Sequence, residues 1–148
     1  MMITMSVFGR LWDHLRAWAP AVIYAALIFH FSSETNPLPV LTENVWDKAL
    51  HAIEYAGLAL LVSYAWQAEG IGRGWALVLA IGVTTLYAAS DEFHQFFVLG
   101  RDSSVLDWTA DAIGGAAGAA LFAMVNAKRG RSPFYIPRKK VYDSFFSS

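Results

Sequence analysis

Four apolar segments of roughly membrane-crossing length follow one another along this chain of 148 residues. They are Ala17–Phe31, Ala49–Trp66, Trp75–Phe97 and a segment from Ser104 to about Val125. Each lies near the ~20 residues that a helix needs to cross the hydrocarbon core of a bilayer. The composition agrees, because only 16% of the residues are charged, whereas soluble domains have about 25%. The sequence predicts an all-α integral membrane protein, a four-transmembrane-helix antiparallel bundle.

The segments outside the apolar ones are short. We expect a cytoplasmic lead-in at residues 1–16, a membrane domain at residues 17–126 and a basic cytoplasmic tail at residues 127–148. No small-x-small cleavage pattern follows the first apolar segment, so it is interpreted as a transmembrane helix and not as a signal peptide. Pro20 falls in the first turn of this predicted helix, where a missing N–H is tolerated.

The distribution of positive charge predicts an orientation in the membrane. Four crossings place the lead-in, the middle loop and the tail on one side, and these hold nine of the eleven Lys and Arg residues. Only Lys48 and Arg101 fall on the other side. The positive-inside rule assigns the side with more Lys and Arg residues to the cytoplasm. We therefore expect a protein of the bacterial cytoplasmic membrane with both termini in the cytoplasm and a tail that contacts anionic lipids.

A polar stretch, Ser90–Asp111, lies between the last two apolar segments. Ionisable groups cost roughly 2.5–3.5 kcal/mol each near the centre of a bilayer. Ionisable groups in a membrane segment therefore need charged or hydrogen-bonding partners, a water-filled cavity, or a position near the membrane interface. This stretch is therefore the first candidate for a functional site.

Helical spacing collects this stretch and the start of the second helix into three polar stripes, all at the outer end of the predicted bundle. Residues at i, i+3, i+4 and i+7 share one face of a helix. The stripes are Asp47, His51 and Glu54 on the second helix, Asp91, His94 and Gln95 on the third, and Asp107 and Asp111 on the fourth. They should meet in one acidic cluster near the outer leaflet. No cysteine is present, which excludes thiolate ligands. The ten candidate catalytic residues are Asp47, His51, Glu54, Asp91, Glu92, His94, Gln95, Arg101, Asp107 and Asp111.

The fourth helix carries two further signals. Ser104 precedes Asp107 by three residues, which is a capping-box-like start although a capping box proper has Glu or Gln there. Gly114 and Gly118 form a small-xxx-small face that suits close helix contact in lipid. We expect this face to pack against a neighbouring helix, and a homo-oligomer through it is possible.

Three motifs carry a family resemblance. They are Asp47-Lys48-x-x-His51, Asp91-Glu92-x-x-Gln95, and Gly100-Arg101 followed after five residues by Asp107. Together they resemble the VanZ-like family over most of the region from Ser32 to Val125. The resemblance implies a membrane location and the importance of these residues. The family takes its name from an accessory protein linked to low-level teicoplanin resistance, so the resemblance also suggests a link to glycopeptide resistance, without supplying a reaction.

Several mechanisms fit an acidic cluster of this kind. Its carboxylates and imidazole could hold a divalent cation, could act as general acid and base, could relay protons, or could form a binding pocket for a cationic or amide-rich envelope molecule. We expect a site that acts on or binds an envelope lipid or cell-wall component, as a hydrolase or transferase on a lipid-linked substrate. The alternative is a small transporter or proton-coupled accessory protein. Membrane lipids and an envelope or cell-wall precursor are the expected partners, and no nucleic acid is expected.

Overall fold

The computed structural model describes residues 2–34, 45–101 and 103–127, which form four α-helices. These helices are α1 (Met2–Ser32), α2 (Val45–Ala68), α3 (Arg73–Gln95) and α4 (Val105–Val125). The prediction of an all-α protein with four helices is confirmed. The predicted basic tail from residue 128 onward, most of the predicted loop between the first two helices and Asp102 lie outside the described residues.

Three of the helices in the described ranges are long and apolar enough to cross a membrane. They are Leu11–Ser32 of α1, together with the whole of α3 and of α4. The helix α2 is not among them, and it carries Asp47, Lys48 and Glu54 near its N-terminal end. Its 24 residues extend about 36 Å at ~1.5 Å per residue, which is sufficient length for a crossing. The length of α2 is therefore sufficient for a fourth transmembrane span, but its composition does not establish that α2 crosses the membrane.

The first helix begins earlier than the sequence predicted. It starts at Met2, so most of the predicted lead-in at residues 1–16 is helical and continuous with the apolar segment. The prediction that Pro20 lies in a first turn is therefore wrong, because Pro20 is in the interior of α1. Proline has no N–H to donate to the carbonyl of Arg16, four residues earlier. The helix α1 thus lacks one backbone hydrogen bond near its middle.

The helix α2 lies at the centre of the bundle and packs against each of the other three helices. The core contains several alanines, of which Ala59, Ala80, Ala88 and Ala119 are fully buried. Small side chains allow helix backbones to approach closely in lipid. The interface between α2 and α4 uses this property most fully.

The glycine face of α4 makes that interface. A Cβ atom built on Gly114 would lie 2.0 Å from the carbonyl oxygen of Ala52, and one built on Gly118 would lie 2.2 Å from that of Ala56. The expected close helix contact therefore forms within one chain. In this chain the face is covered by α2. The homo-oligomer through Gly114 and Gly118 is not tested by this contact and stays a prediction.

The end of α1, the start of α2, the end of α3 and the start of α4 lie at one end of the bundle, here called the acidic end. Gly70 and Gly100 have a φ of 84° in the turns before α3 and α4, a conformation that glycine adopts without steric cost. The Ser104 hydroxyl caps α4 by accepting a hydrogen bond of 3.2 Å from the Leu106 N–H. The predicted cap is thus present, although Asp107 pairs with Lys48.

Polar contacts attach α1 to the rest of the bundle near both ends of its apolar part. At the acidic end, Arg101 donates to the carbonyl oxygens of Phe31 at 3.1 Å and of Ser32 at 3.3 Å. A cation at this position also interacts favourably with the negative end of the helix dipole. Toward the opposite end, His14 pairs with Glu69, which follows α2. Between these contacts, the Tyr87 hydroxyl donates to the carbonyl oxygen of Ala25 at 2.7 Å, and Pro20 lies between His14 and Ala25.

Candidate functional site

The acidic end gathers most of the predicted site residues, because each of α2, α3 and α4 presents a polar stripe there. The helices α3 and α4 bury the larger share of them. Asp111 is the most enclosed of the carboxylates, with 1% of its surface exposed. The buried candidates are Asp91, Glu92, Gln95, Asp107 and Asp111.

His51 connects α2 to α4 at the centre of this group. Its Nδ1 lies 3.0 Å from Oδ1 of Asp111, and its Nε2 lies 4.0 Å from Oδ1 of Asp47. The imidazole is therefore placed between two carboxylates. A histidine held in this way can take up or give up a proton while one carboxylate fixes its orientation.

Lys48 pairs with Asp107 beside the imidazole. Asp107 itself is buried, with 8% of its surface exposed. The pair neutralises one of the carboxylates of α4 and leaves Asp111 to His51.

Three buried carboxylate oxygens have no hydrogen-bond partner among the described residues. They are Oδ1 of Asp91, Oε1 of Glu92 and Oδ2 of Asp111. The second oxygen of Glu92 accepts a hydrogen bond of 2.9 Å from the Ser104 N–H, and that of Asp91 accepts one of 3.2 Å from the Gln95 amide. Leaving a buried acceptor without a partner costs about 1–3 kcal/mol. These oxygens are therefore positions where a proton, a cation or a ligand would be stabilised.

A cavity of about 320 Å³ lies beside the cluster. One part of its lining is polar and comes from α2, α3 and the turn before α4, and the other part is apolar and comes from α1 and α2. The polar lining includes six of the ten candidates, Asp47, His51, Glu54, Asp91, Gln95 and Arg101, with Ser32 from α1. The rest of the lining is Tyr24, Ile28, Phe31, Leu50 and Ile53.

Two candidates have their direct contacts elsewhere. The ring of His94 stacks on Phe29 with centroids 4.4 Å apart, and its Nε2 lies 3.0 Å from the Ser33 hydroxyl. The sequence placed His94 on the stripe of Asp91, but a residue three positions along a helix is rotated by about 300°, which here turns it toward α1. Arg101 donates to the carbonyls that end α1, although it also lines the cavity.

Sequence reasoning missed Tyr55 and the apolar wall of the cavity. Tyr55 is 1% exposed, and its hydroxyl has no hydrogen-bond partner within the described part of the chain. Tyr55 follows His51 by four residues, as His51 follows Asp47. The three residues therefore lie on one face of α2, and this spacing could have identified Tyr55. However, its aromatic ring also fits an apolar helix face, so the sequence pattern does not distinguish it from an ordinary core residue.

Two sets of side chains come close enough to share a metal ion. One is Asp47, His51 and Asp107, and the other is His51, Glu92 and Asp111. In each set, one ligand atom from every member lies within 4.8 Å of those from the other two. His51 belongs to both, and the two sets therefore compete for the same imidazole.

The fold and its acidic end define a small helical membrane protein with a polar group buried between three of its helices. Comparison with protein families identifies it further. The VanZ/LLP1 family model matches residues 2–126, a range that includes all four helices and all ten candidate residues. The chain belongs to the VanZ/LLP1 family, which confirms the predicted resemblance. No curated protein and no solved structure gave a significant match.

Proposed function

We propose that this protein crosses the bacterial cytoplasmic membrane four times and uses its acidic end, on the outer side, to bind or act on an envelope lipid or a lipid-linked cell-wall precursor. Two observations support the topology. The helix α2 packs against each of the other three helices, and Asp47, Lys48 and His51 at its charged end have partners within the bundle. Nine of the eleven Lys and Arg residues lie on one side when α2 is counted as a span.

The cavity is the observation that carries the proposed ligand class. Its polar lining is suited to a headgroup, and its apolar lining is suited to a hydrocarbon chain. Ile53, on its edge, is 69% exposed, so the apolar side reaches the outer surface of the bundle, where acyl chains would lie. A volume of about 320 Å³ is at the lower end of the ~300–1,000 Å³ typical of ligand sites.

His51 supplies the chemistry for an enzyme at this site. Asp111 holds one nitrogen of the imidazole, and the ring also lines the cavity. An imidazole in this position can accept a proton from water or from a substrate hydroxyl, which contributes about 10²–10⁴-fold to a hydrolytic or transfer reaction. The proposal therefore includes a hydrolase or transferase acting on the headgroup.

Transport is less well supported by the distribution of buried polar residues. In the described ranges, Ser63 and Thr84 are the buried polar residues away from the acidic end. A proton or ion path across the membrane would need polar groups along the whole bundle. A link to glycopeptide resistance rests on the family resemblance alone and is tested by teicoplanin susceptibility of an expressing strain.

Lipid retention tests the proposed ligand class. The full chain is purified in detergent, and co-purifying lipids are measured by native mass spectrometry against the membrane extract. We expect enrichment of one headgroup or lipid-linked class in wild-type protein and loss of most of it in Ile53→Trp, whose added bulk occupies the mouth of the cavity.

Ile113→Trp is the matched control, because Ile113 is 63% exposed on α4 and does not line the cavity. It should retain the same lipids as wild-type protein. A lipid profile identical to that of the membrane extract, or equal retention by both variants, would contradict the proposal.

A further inference from the structure

We propose that His51, Glu92 and Asp111 bind one divalent transition-metal ion where α2, α3 and α4 meet. One potential ligand atom from each residue lies within 4.8 Å of those of the other two. Each helix contributes a single ligand, so an ion at this position would join three helices. The inference assigns a cofactor to the site of the proposed function and rests on that site, although not on the identity of its lipid. With an ion bound, His51 would be a ligand, and the ion would take over from the imidazole the task of activating water.

The unpartnered oxygens are the first observation that points to a cation. Glu92 and Asp111 are 6% and 1% exposed, and each has one oxygen without a partner among the described residues. The other oxygen of each carboxylate is already bound, to the Ser104 N–H at 2.9 Å and to His51 at 3.0 Å. For Glu92, the Ser104 N–H orients one oxygen and leaves the second available to an ion, the arrangement in which an outer hydrogen bond positions a metal ligand. For Asp111, the ion would replace the contact with His51, and both side chains would then be its ligands.

Charge balance is the second observation. Two carboxylates and a neutral imidazole carry two negative charges, which one divalent ion neutralises. The cations nearest to the group are used elsewhere, because Lys48 pairs with Asp107 and Arg101 donates to the carbonyls at the end of α1. When the ion binds, it takes the place of the proton between His51 and Asp111, since a histidine binds metals in its neutral form.

The competing set, Asp47 with His51 and Asp107, fits a cation less well. Asp107 already has Lys48 as its counter-charge, and the Asp47 side chain is 27% exposed. Asp47 instead lies 4.0 Å from Nε2 of His51, the nitrogen that does not face Asp111. A carboxylate on that side of a metal-binding histidine fixes its tautomer and orientation.

The donor types select the class of ion. One imidazole nitrogen with two carboxylate oxygens suits Zn²⁺ or Mn²⁺ better than Ca²⁺ or Mg²⁺, which prefer oxygen ligands alone. Ligands of Zn²⁺ lie about 2.0–2.2 Å from the ion, so two of them are at most ~4.4 Å apart. Small rotations of the three side chains would close the present separations to that range.

Metal titration of the purified full-length protein tests the assignment. After treatment with a chelator and its removal, ZnCl₂ and MnCl₂ are titrated by calorimetry, with CaCl₂ for comparison. We expect one equivalent of Zn²⁺ or Mn²⁺ to bind. Glu92→Gln and Asp111→Asn should each lower the affinity by at least the ~10–100-fold that loss of an outer-shell partner costs. Both variants keep the shape of the native side chain, and size-exclusion chromatography checks that they are folded.

Asp91→Asn is the matched control. Asp91 is also buried on α3 and also has an unpartnered oxygen, yet it is in neither metal set. Its variant removes a nearby negative charge but no ligand, so it should lower the affinity less than Glu92→Gln or Asp111→Asn does. Asp47→Asn should weaken binding by about tenfold, as expected of an outer-shell partner.

Several results would overturn the inference. These are no binding by wild-type protein, unchanged affinity in both Glu92→Gln and Asp111→Asn, or equal loss in Asp91→Asn. Complete loss in Asp47→Asn with retention in Glu92→Gln would assign the ion to the competing set and also reject the ligands proposed here. Metal binding without lipid enrichment would contradict only the proposed lipid ligand. Lipid enrichment without metal binding would contradict only the proposed metal site.

Discussion

Substitution of Gly114 by alanine is the most direct test of how α2 and α4 are held together. The added Cβ would lie 2.0 Å from the carbonyl oxygen of Ala52 and 2.6 Å from its Cα. Cβ atoms essentially never come closer than 3.0 Å to such neighbours. The two helices must therefore move apart locally by about 1 Å, because the atoms in the way belong to the backbone and cannot rotate aside.

The size of the effect follows from this displacement. Overpacking of a close contact costs about 1–3 kcal/mol, and a clash with backbone should fall at the upper end. At ~2–4 °C per kcal/mol for a chain of this size, a loss of ~3 kcal/mol lowers Tm by about 6–12 °C. The same movement lengthens the 3.0 Å contact between His51 and Asp111 beyond hydrogen-bonding distance, since His51 precedes Ala52.

The assay is thermal unfolding in detergent followed by tryptophan fluorescence. Gly82→Ala is the matched control, because a Cβ on Gly82 meets nothing within 4 Å, and its Tm should stay within about 2 °C of wild type. Ala52→Gly should not rescue Gly114→Ala, because the atoms that clash are backbone. Gly118→Ala combined with Gly114→Ala should cost less than the sum of the two, since one movement of α2 relieves both clashes. An unchanged Tm for Gly114→Ala, or full rescue by Ala52→Gly, would refute the reasoning.

Three further predictions concern the site and the topology. Reporter fusions after Asn126 should indicate the cytoplasm and fusions after Asn36 the outside, and an outside signal after Asn126 would reject four crossings. Lys48→Met should lower stability by about 1 kcal/mol, because it leaves the buried Asp107 without its counter-charge while Lys48 itself is 42% exposed. Adding Asp107→Asn should recover part of that loss, and strictly additive Tm changes in this double-mutant cycle would show that the pair is not coupled. Asp91→Asn should reduce lipid retention, because Asp91 lines the cavity, and wild-type retention would show that the headgroup lies elsewhere.

The sequence predicted the helices well where apolarity and turn residues marked them. Gly70 and Gly100 do lie in the turns, and Ser104 does cap α4. The start of α1 was wrong because the charged residues before Ala17 were interpreted as the end of the helical pattern. Charge limits which part of a helix enters lipid, but it does not prevent the helix from continuing into water.

Within the site, periodicity predicted which residues share a face but not what each one contacts. The i, i+4 spacing placed Asp107 and Asp111 together on α4, yet one pairs with Lys48 and the other with His51. That division depends on the position of α2 relative to α4, which the backbone contact at Gly114 determines. The unpartnered oxygens depend on side-chain torsions, and no sequence pattern encodes them.

The attachments of α1 and the interior position of Pro20 have a consequence for how a molecule could enter the cavity. Arg101 holds one end of this helix, the Tyr87 hydroxyl holds it at the carbonyl of Ala25, and the pair of His14 with Glu69 holds it near the other end. Pro20 removes one backbone hydrogen bond, which lowers the resistance of a helix to bending, but it lies between His14 and Ala25, outside the stretch from Tyr24 to Ser32 that lines the cavity. The α1 wall of the cavity is thus fixed near both of its ends, and a lipid chain should enter past the exposed Ile53 of α2 and not by movement of α1.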